Sequence, residues 1–115
     1  MNEDRHSDYN PRLMGALIRD ARADAHMSQL EASERAGIAR THLAMIERGK
    51  KEAHVDTLWK ITSALNIRLS SLFQKHEDII ETLPDEDTDK AIDDVIAKIE
   101  HDRHAGERKK PRTSR

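Results

Sequence analysis

The sequence predicts an all-α fold, and three observations support that prediction. Aromatic residues make up only 3% of the 115 residues and cysteine is absent, so the core must come from aliphatic side chains that suit helices. Apolar residues recur with helical spacing along the chain. Glycine or asparagine follows several of these segments, where a left-handed residue can end a helix. We therefore expect a small helical domain with short connections.

The first three helices are predicted from residue 11 onward. A proline begins the first apolar stripe, which continues through residues 11–25. Residues 28–31, Ser-Gln-Leu-Glu, form a capping box that begins a short second helix, and this helix must end before Gly37. A third helix is expected over residues 39–48, with Gly49 closing it.

Three further helices are predicted in the rest of the chain. The fourth follows the polar loop 50–53 and stops at Asn66, and the fifth follows directly. An acidic linker, residues 81–89, leads to a sixth helix that Thr88 or Asp89 is expected to cap. The apolar stripe of this last helix consists of Ile92, Val95, Ile96 and Ile99.

Composition and charge divide the chain into four parts. Residues 1–10 are predicted to be a disordered lead, and residues 11–76 a helical domain. Residues 77–104 combine the linker and the last helix, and they carry 11 acidic and 3 basic residues. Residues 105–115 form a basic tail without apolar periodicity, which is predicted to be disordered.

Residues 29–46 have the pattern that a helix-turn-helix requires. Two helices that cross at a steep angle must approach closely near the turn, so the first helix needs small residues there. Gly37 supplies the positive φ of the turn. The small residues on the first helix are Ala32, Ser33 and Ala36, and the apolar residues that fill the shared core are Ile38, Leu43 and Ile46.

The outward face of the second helix in this pair has side chains suited to reading bases in a DNA major groove. Arg40 can donate a fork of hydrogen bonds to guanine O6 and N7, and Thr41 can bond a base or a phosphate. Ala44 and Met45 can make apolar contact with a thymine methyl group. We therefore predict that these four residues contact base edges.

Other residues around this pair of helices are expected at the DNA backbone. Free N–H groups and the dipole at the N-terminus of a helix favour a phosphate there, and cations after the outward-facing helix suit the opposite strand. The predicted backbone contacts are Ser28, Gln29, His42, Arg48, Lys50 and Lys51.

Residues 14–73 resemble the lambda-repressor-like (Cro/XRE-type) helix-turn-helix DNA-binding domain, in order and without gaps. The resemblance implies a five-helix domain whose third helix enters the major groove. It also implies a partly buried ion pair between Arg22 and Glu47. The matching motifs are Gly15, Ile18-Arg19, Arg22, Ser28-Gln29, Gly37-Ile38, Arg40-Thr41, Leu43, Ile46-Glu47-Arg48-Gly49, Thr57-Leu58, Ile61, Ala64-Leu65 and Leu72-Phe73.

The same resemblance implies residue roles and exposes two departures from the family pattern. Gln29 matches the phosphate-contacting glutamine of the family. Ala32 stands where the family usually has leucine, which removes core volume. Ala39 replaces the usual serine or threonine cap of the recognition helix, which is expected to reduce helix stability by about 1 kcal/mol. The positions that match base-reading residues are Arg40, Thr41 and Met45.

The expected function is that of a sequence-specific transcriptional regulator, a repressor that binds duplex DNA as a homodimer. Each recognition helix would enter one half-site of a palindromic operator. The stripe Ile92–Ile99 of the sixth helix has two interpretations: it packs back on the domain, or it pairs with its copy in a second subunit.

Two other interpretations remain open at the level of sequence. An acidic arm over residues 77–104 could cover a basic surface on a toxin, which would make the protein the antitoxin of a toxin–antitoxin pair that regulates its own operon. A bridging factor that uses the fold for protein contacts alone is the third interpretation. The basic tail either reaches DNA or is solvated.

Composition excludes several other classes. Without cysteine there is no thiolate metal site, and His101 and His104 have no apparent third ligand, so neither a metal nor another cofactor is expected. No nucleophile–base pair or phosphate loop is found, so an enzyme is not expected. No apolar run is long enough to span a bilayer and no signal peptide is apparent, which predicts a cytoplasmic protein.

Overall fold

The computed structural model describes the backbone of residues 9–109 and the side chains of residues 9–103. This part of the chain is all helical, which confirms the predicted fold class. The helices are α1 (Pro11–Asp24), α2 (Gln29–Ala36), α3 (Arg40–Glu47), α4 (Val55–Ala64), α5 (Leu69–Thr82) and α6 (Thr88–Lys109). The chain divides into two compact units at Thr82, so α1–α5 form the first unit and α6 belongs to the second.

Side-chain caps fix where α1 and α2 begin. Asn10 Oδ1 accepts a hydrogen bond from the backbone N–H of Leu13 at 2.9 Å, and Pro11 occupies the first helical position. Ser28 Oγ accepts from the N–H of Glu31 at 3.0 Å, as the capping-box pattern predicts. At α3 the cap residue is Ala39, which has no side chain able to make such a bond.

Left-handed residues end the first four helices in the same way. Gly37, Gly49 and Asn66 have φ of 74°, 72° and 60°, and all three were predicted stops. After each of them the next N–H bonds a carbonyl five residues back, for example Ile38 to Ser33 at 3.0 Å. Helix α1 ends in the same way, with His26 as the left-handed residue at φ of 59° and the N–H of Met27 bonded to the Arg22 carbonyl at 3.2 Å.

The core of the first unit lies between five short helices. Helix α1 packs against α3 and α5, α2 packs against α3 and α4, and α4 packs against α5. Ala32 is buried, so α2 lies close enough to its neighbours to leave this small side chain almost no contact with solvent. The largest fully buried side chains of this unit are Leu13, Met14, Ile18, Leu43, Leu58 and Ile61.

Gly15 allows α1 and α3 to approach closely. A Cβ atom at this position would overlap the carbonyl oxygen of Ile46 and lie 2.7 Å from that of Glu47. Both atoms are backbone, so they cannot rotate away as a flexible side chain could. The contact therefore sets the distance between the first helix and the helix that carries the predicted base-reading residues.

The start of the described chain is attached to α5. The backbone N–H of Asn10 donates to Nε2 of His76 at 3.0 Å, and the ring of Tyr9 stacks on the same imidazole with centroids 5.1 Å apart. Burial lowers the pKa of His76, and the bond from Asn10 requires Nε2 without a proton. His76 is therefore neutral in the folded protein at physiological pH.

The second unit contains one long helix. The side chains of Ile92, Val95, Ile96 and Ile99 lie along one face of α6 and are less exposed than the charged residues on the other faces. Lys90 and Asp94, four residues apart, form an exposed ion pair at 3.4 Å. The helical stripe predicted for this segment is therefore present.

Three boundaries differ from the sequence prediction. Tyr9 and Asn10 are ordered parts of the first unit, because they contact His76, so the predicted disordered lead does not include them. Helix α5 continues to Thr82, six residues past the predicted end of the domain. Helix α6 continues to residue 109 because alanine, glutamate, arginine and lysine sustain a helix through one glycine. Residues 1–8 and 110–115 of the predicted lead and tail lie outside the described residues.

Candidate nucleic-acid interface

Helices α2 and α3 and the turn between them form a helix-turn-helix. Gly37 and Ile38 carry the chain out of α2, and Ser33 is buried at the crossing, with its hydroxyl donating to the Leu30 carbonyl at 2.9 Å. Leu43 and Ile46 of α3 point into the core. The opposite face of α3 is left to solvent, as the spacing of these residues predicts.

That outward face borders an open groove of about 480 Å³. Four arginines from α1 and from α3 and its C-cap line the groove, with one glutamate among them, so its charge is positive. The polar Gln29 and Thr41 and the small Ala44 complete the surface. The lining residues are Arg19, Arg22, Gln29, Arg40, Thr41, Ala44, Glu47 and Arg48.

A buried polar network supports this groove from below. Arg22 Nε and Nη2 donate to the two carboxylate oxygens of Glu47 at 2.7 and 2.9 Å, and the side chains are only 15% and 2% exposed. Arg22 Nη1 also donates to the Met27 carbonyl at 2.9 Å, which ties the loop after α1 to α3. The bidentate geometry satisfies a carboxylate that has lost almost all contact with water.

Glu47 also holds a residue of the groove. The side-chain amide of Gln29 donates to Glu47 Oε1 at 3.0 Å. Gln29 is the first residue of α2, where backbone N–H groups lack partners within the helix, and it lines the groove. One carboxylate therefore connects α1, α2 and α3 and fixes the position of Gln29.

The arrangement is chemically suited to a polyanion whose bases present hydrogen-bond donors and acceptors at their edges. Arg40 is exposed at the first position of α3, where its guanidinium can reach beyond the helix end. Thr41 and Ala44 follow on the same face, one hydroxyl and one methyl group. A helix with this face fits a groove about 12 Å wide, the width of the DNA major groove.

Some predicted contact residues lie outside the lining of the groove. Met45 is 40% exposed on a neighbouring face of α3, and His42 is half-buried there. Ser28 is exposed but its oxygen is engaged as the cap of α2. Lys50 and Lys51 are exposed in the loop after α3. None of these five residues lines the groove.

Arg19 is a groove residue that sequence reasoning did not select. It lies on α1 three residues before Arg22, so both side chains share one helix face. That spacing, together with the predicted pairing of Arg22 to α3, was the available signal. The sequence signature of a helix-turn-helix lies in α2 and α3, so it does not extend to α1.

Other site types are not supported in the described part of the chain. No group of three or more potential metal-ligating side chains occurs among the described residues. His101 lies 3.8 Å from the carboxylate of its neighbour Asp102, and the side chain of His104 lies outside the described residues. No described helix is long and apolar enough to cross a membrane.

Comparison with known protein sequences agrees with this geometry. A family model described as helix-turn-helix matches residues 18–72. The ImmF control region 10 kDa protein of Bacillus phage phi105 is 34% identical over 68 residues, which cover 59% of this chain and 76% of that protein. An uncharacterized HTH-type transcriptional regulator of Mycobacterium tuberculosis is 34% identical over 59 residues, but these cover only 42% of its length.

Two solved structures share the fold at 26% sequence identity. One is the restriction-modification controller protein C.AhdI from Aeromonas hydrophila, with a TM-score of 0.53 over 54% of this chain and 94% of that one. The other is the clp gene regulator ClgR from C. glutamicum, with a TM-score of 0.55 over 56% of this chain and 84% of that one.

The fold, the groove and the similarities together define a DNA-binding regulator of the helix-turn-helix class. Within that class, the chain belongs to the Cro/XRE-type family, as its sequence predicts.

Proposed function

We propose that this protein is a homodimeric repressor that reads a palindromic operator in duplex DNA with α3. The observation that carries the proposal is the positively charged groove in which Arg40, Thr41 and Ala44 of α3 face outward. These three residues are separated by one and by three positions, so they lie along one side of the helix. That side is the part of α3 that enters the major groove.

Four residues of α3 are proposed to read bases. Arg40 donates its guanidinium fork to O6 and N7 of a guanine, and the Thr41 hydroxyl bonds an adjacent base edge. Ala44 and Met45 contact thymine methyl groups, since both present apolar surface on α3. Arg40 makes the strongest contribution because a bidentate bond discriminates against every other base.

A second set of residues is proposed to bind phosphates. Gln29 is the best positioned, because Glu47 fixes its side chain at the N-terminus of α2, where the helix dipole favours an anion. Arg19 joins the set because it lines the same groove. Affinity will therefore fall steeply with salt as counterions are released. The remaining proposed backbone contacts are Ser28, His42, Arg48, Lys50 and Lys51.

Two arguments support dimeric binding and repression: the two-fold symmetry of operators, and the similarity of this chain to known regulatory proteins. Two helix-turn-helix units bound on one side of the duplex read half-sites about 34–36 Å apart. The similar proteins include the ImmF control region 10 kDa protein of a Bacillus phage, a restriction-modification controller protein and a clp gene regulator. Of the stripe on α6, Val95, Ile96 and Ile99 remain proposed supports of the dimer, whereas Ile92 is already buried within the chain at 1% exposure.

The proposal is tested by selecting bound duplexes from a random DNA library with the purified full chain, followed by sequencing. We expect an enriched palindrome with fixed spacing between its halves. The matched control is Arg40→Ala, which should select a site with the same spacing but relaxed preference at one position in each half.

The same selection experiment can also contradict the proposal. If no sequence is enriched even at low salt, the chain does not read DNA by sequence. The acidic segment 77–104 then makes the antitoxin interpretation the one to pursue, by co-expression with a small basic protein from a neighbouring reading frame.

A further inference from the structure

Residues 9–12, which we call the N-terminal strap, connect the start of α1 to a buried imidazole on α5. The backbone N–H of Asn10 donates to Nε2 of His76 at 3.0 Å, and Tyr9 stacks on the same ring. The ring of Tyr9 also lies 6.3 Å, centroid to centroid, from that of Phe73. Because His76 is only 4% exposed, the strap supplies the hydrogen-bond donor that this buried nitrogen requires.

Protonation of His76 is incompatible with this contact. A neutral imidazole has one acceptor nitrogen, whereas an imidazolium has two N–H donors and no acceptor. The N–H of Asn10 and a new N–H on Nε2 would then face each other in a buried site, where an unsatisfied polar group costs about 1–3 kcal/mol. His76 can therefore keep a proton on Nε2 only when the strap moves away.

The ionisable groups around His76 decide at which pH the contact opens. Burial lowers the pKa of His76, and Glu77, next to it on α5, acts in the opposite direction. Burial raises the pKa of Tyr9, helped by Glu52 in the loop after α3, so the Tyr9 hydroxyl stays neutral. Among the described residues, no charged side chain of α1 or α4 contributes to the shift in the His76 pKa, although both helices pack against α5. The contact is therefore complete above pH 6.5 and weakens as the pH falls below that value.

The strap also packs against the loop that follows α3. A Cβ atom on Gly49, which ends α3, would overlap Cγ of Arg12 and lie 2.7 Å from its Cα, so the two residues are in close contact. Glu52 of the same loop lies near enough to Tyr9 to raise the pKa of its hydroxyl. Two exposed lysines, residues 50–51, lie between these contacts and are proposed to bind phosphates. A displacement of the strap therefore removes support from the loop on both sides of these lysines.

We propose that the N-terminal strap is a proton-sensitive device, in which protonation of His76 releases the strap from α5 and loosens the loop after α3, so that binding to DNA phosphates weakens. The proposal deepens the proposed function, because it rests on that loop binding the DNA backbone and names acidification as its regulator. The release is local, since Leu13 has no exposed surface and holds α1 in the core from that residue onward. Affinity should fall for all sequences alike, because phosphate contacts carry no direct sequence information.

Hydrogen exchange of the full chain, followed by NMR on both sides of pH 6.5, tests the release without DNA. The protection factor of the Asn10 amide should fall by up to about tenfold for each pH unit below 6.5, because the released state takes up one proton. The amides of Ile18 and Ile61, both buried in the core, should keep their protection. The pH at which the His76 imidazole titrates should also be the pH at which the Asn10 amide signal shifts.

His76→Gln is the decisive variant, and His54→Gln is its matched control. The amide oxygen of a glutamine can still accept from Asn10 but does not titrate, so the Asn10 amide should stay protected at every pH. His54 is exposed at the cap of α4, so its replacement should leave the Asn10 profile as it is in the unaltered chain. If His76→Gln fails to fold, the coincidence of the His76 titration with the Asn10 shift in the unaltered chain decides the question.

Fluorescence anisotropy with the selected duplex, over the same pH range, tests the link to DNA. Exposed histidines such as His54 gain charge as the pH falls, which by itself strengthens binding. Dividing the dissociation constant of the unaltered chain by that of His76→Gln cancels this contribution. The ratio should rise about fivefold or more below pH 6.5, on every duplex tested.

Three results would overturn the inference and leave the proposed function standing. An Asn10 amide that loses protection only together with Ile18 reports global unfolding, not release of the strap. Equal protection profiles for the unaltered chain and His76→Gln mean that His76 is not the trigger. A constant ratio of dissociation constants means that the strap does not act on the loop. Failure of the proposed function is distinct, because then no duplex is bound above pH 6.5 either, whatever the exchange shows.

Discussion

Helices α3 and α4 are alike in how they are anchored and opposite in what they expose. Each buries three side chains in the same core, Leu43, Ile46 and Glu47 on α3 against Leu58, Ile61 and Thr62 on α4. The free face of α3 is basic and polar and borders a groove. The free face of α4 is apolar, with single opposite charges beside a tryptophan.

Because of this contrast, the two faces suit different kinds of partner. Nucleic acid is recognised by charge and by hydrogen bonds that tolerate water, and these are the groups that α3 offers. Protein interfaces are driven at their centre by apolar and aromatic surface, which α4 offers. A scaffold of five short helices thus carries both surfaces on consecutive helices.

The largest effect is expected from removing Glu47, the buried carboxylate that anchors α3. Helix α4 has no equivalent buried charge. Glu47→Ala leaves Arg22 largely buried without its carboxylate and releases Gln29, so the free energy of unfolding should fall by about 3–5 kcal/mol. Because Arg22 keeps 15% exposure, we expect the lower part of that range. Urea denaturation measures it.

Glu31→Ala is the matched control for that variant. Glu31 pairs with Arg35 at 3.1 Å, but both side chains are about half exposed, so its removal should change stability by less than about 1 kcal/mol. Equal effects of the two variants would show that the buried network does not anchor α3.

The second expected effect is on the spacing of α1 and α3. Gly15→Ala places a methyl group against the backbone carbonyls of Ile46 and Glu47, so it should destabilise the domain by about 1–3 kcal/mol and displace the base-reading face. Thermal melting and DNA binding should both be impaired. If Gly15→Ala instead stabilises the protein by up to about 1 kcal/mol, helix propensity dominates and the close contact is not a constraint.

The third prediction tests whether the free face of α3 reads bases. Arg40→Ala should weaken binding to the selected operator by about 1–3 kcal/mol and relax preference at one base pair of each half-site. Stability should change little, because Arg40 is exposed and lines the groove. Arg35→Ala, an exposed arginine of α2 that does not line the groove, should leave specificity intact. Fluorescence anisotropy with labelled duplexes gives the comparison, and a uniform loss across all sequences would assign Arg40 to the backbone.

The smallest expected effect is the pH dependence of the free energy of unfolding. It concerns the whole first unit, so α3 and α4 should be affected alike. The pKa of His76 is lowered by burial from its ordinary value of 6.5, so the unfolded chain binds a proton at a pH at which the folded chain does not. The stability contributed by neutral His76 is therefore complete above pH 6.5 and is lost as the pH falls below that value.

Urea midpoints measured on both sides of pH 6.5 test whether stability falls with falling pH. His101→Gln is the control, since it removes an exposed histidine of α6 and leaves the contact between Asn10 and His76 intact. His76→Gln should flatten the dependence of stability on pH. A midpoint that rises as the pH falls through 6.5 would mean that His76 gains a proton on folding.

Much of the first unit was predictable because its signals are local. The capping box at Ser28 and the left-handed stops at Gly37, Gly49 and Asn66 involve residues within one or two turns of each other. The left-handed His26 was not predicted, because histidine adopts that conformation in only a minority of cases although it is enriched there. The neighbouring Arg22, which bonds the Met27 carbonyl, holds the chain there.

The ends of the units were less predictable, because contacts between distant residues decide them. Asn10 and His76 are 66 positions apart, and their hydrogen bond makes part of the predicted lead an ordered segment. The membership of Arg19 in the groove has the same cause, since it depends on how α1 lies against α3.

By itself, the sequence determined the helical class, the helix-turn-helix and the polar outward face of α3, because each follows from the period and the ends of single helices. Only the tertiary structure decided which side chains meet. It buried Glu47 to 2% exposure between Arg22 and Gln29, closed α1 on α3 at Gly15, and left Trp59 without cover. The physical reason is that burial is a property of neighbours, and the neighbours of these residues come from other helices.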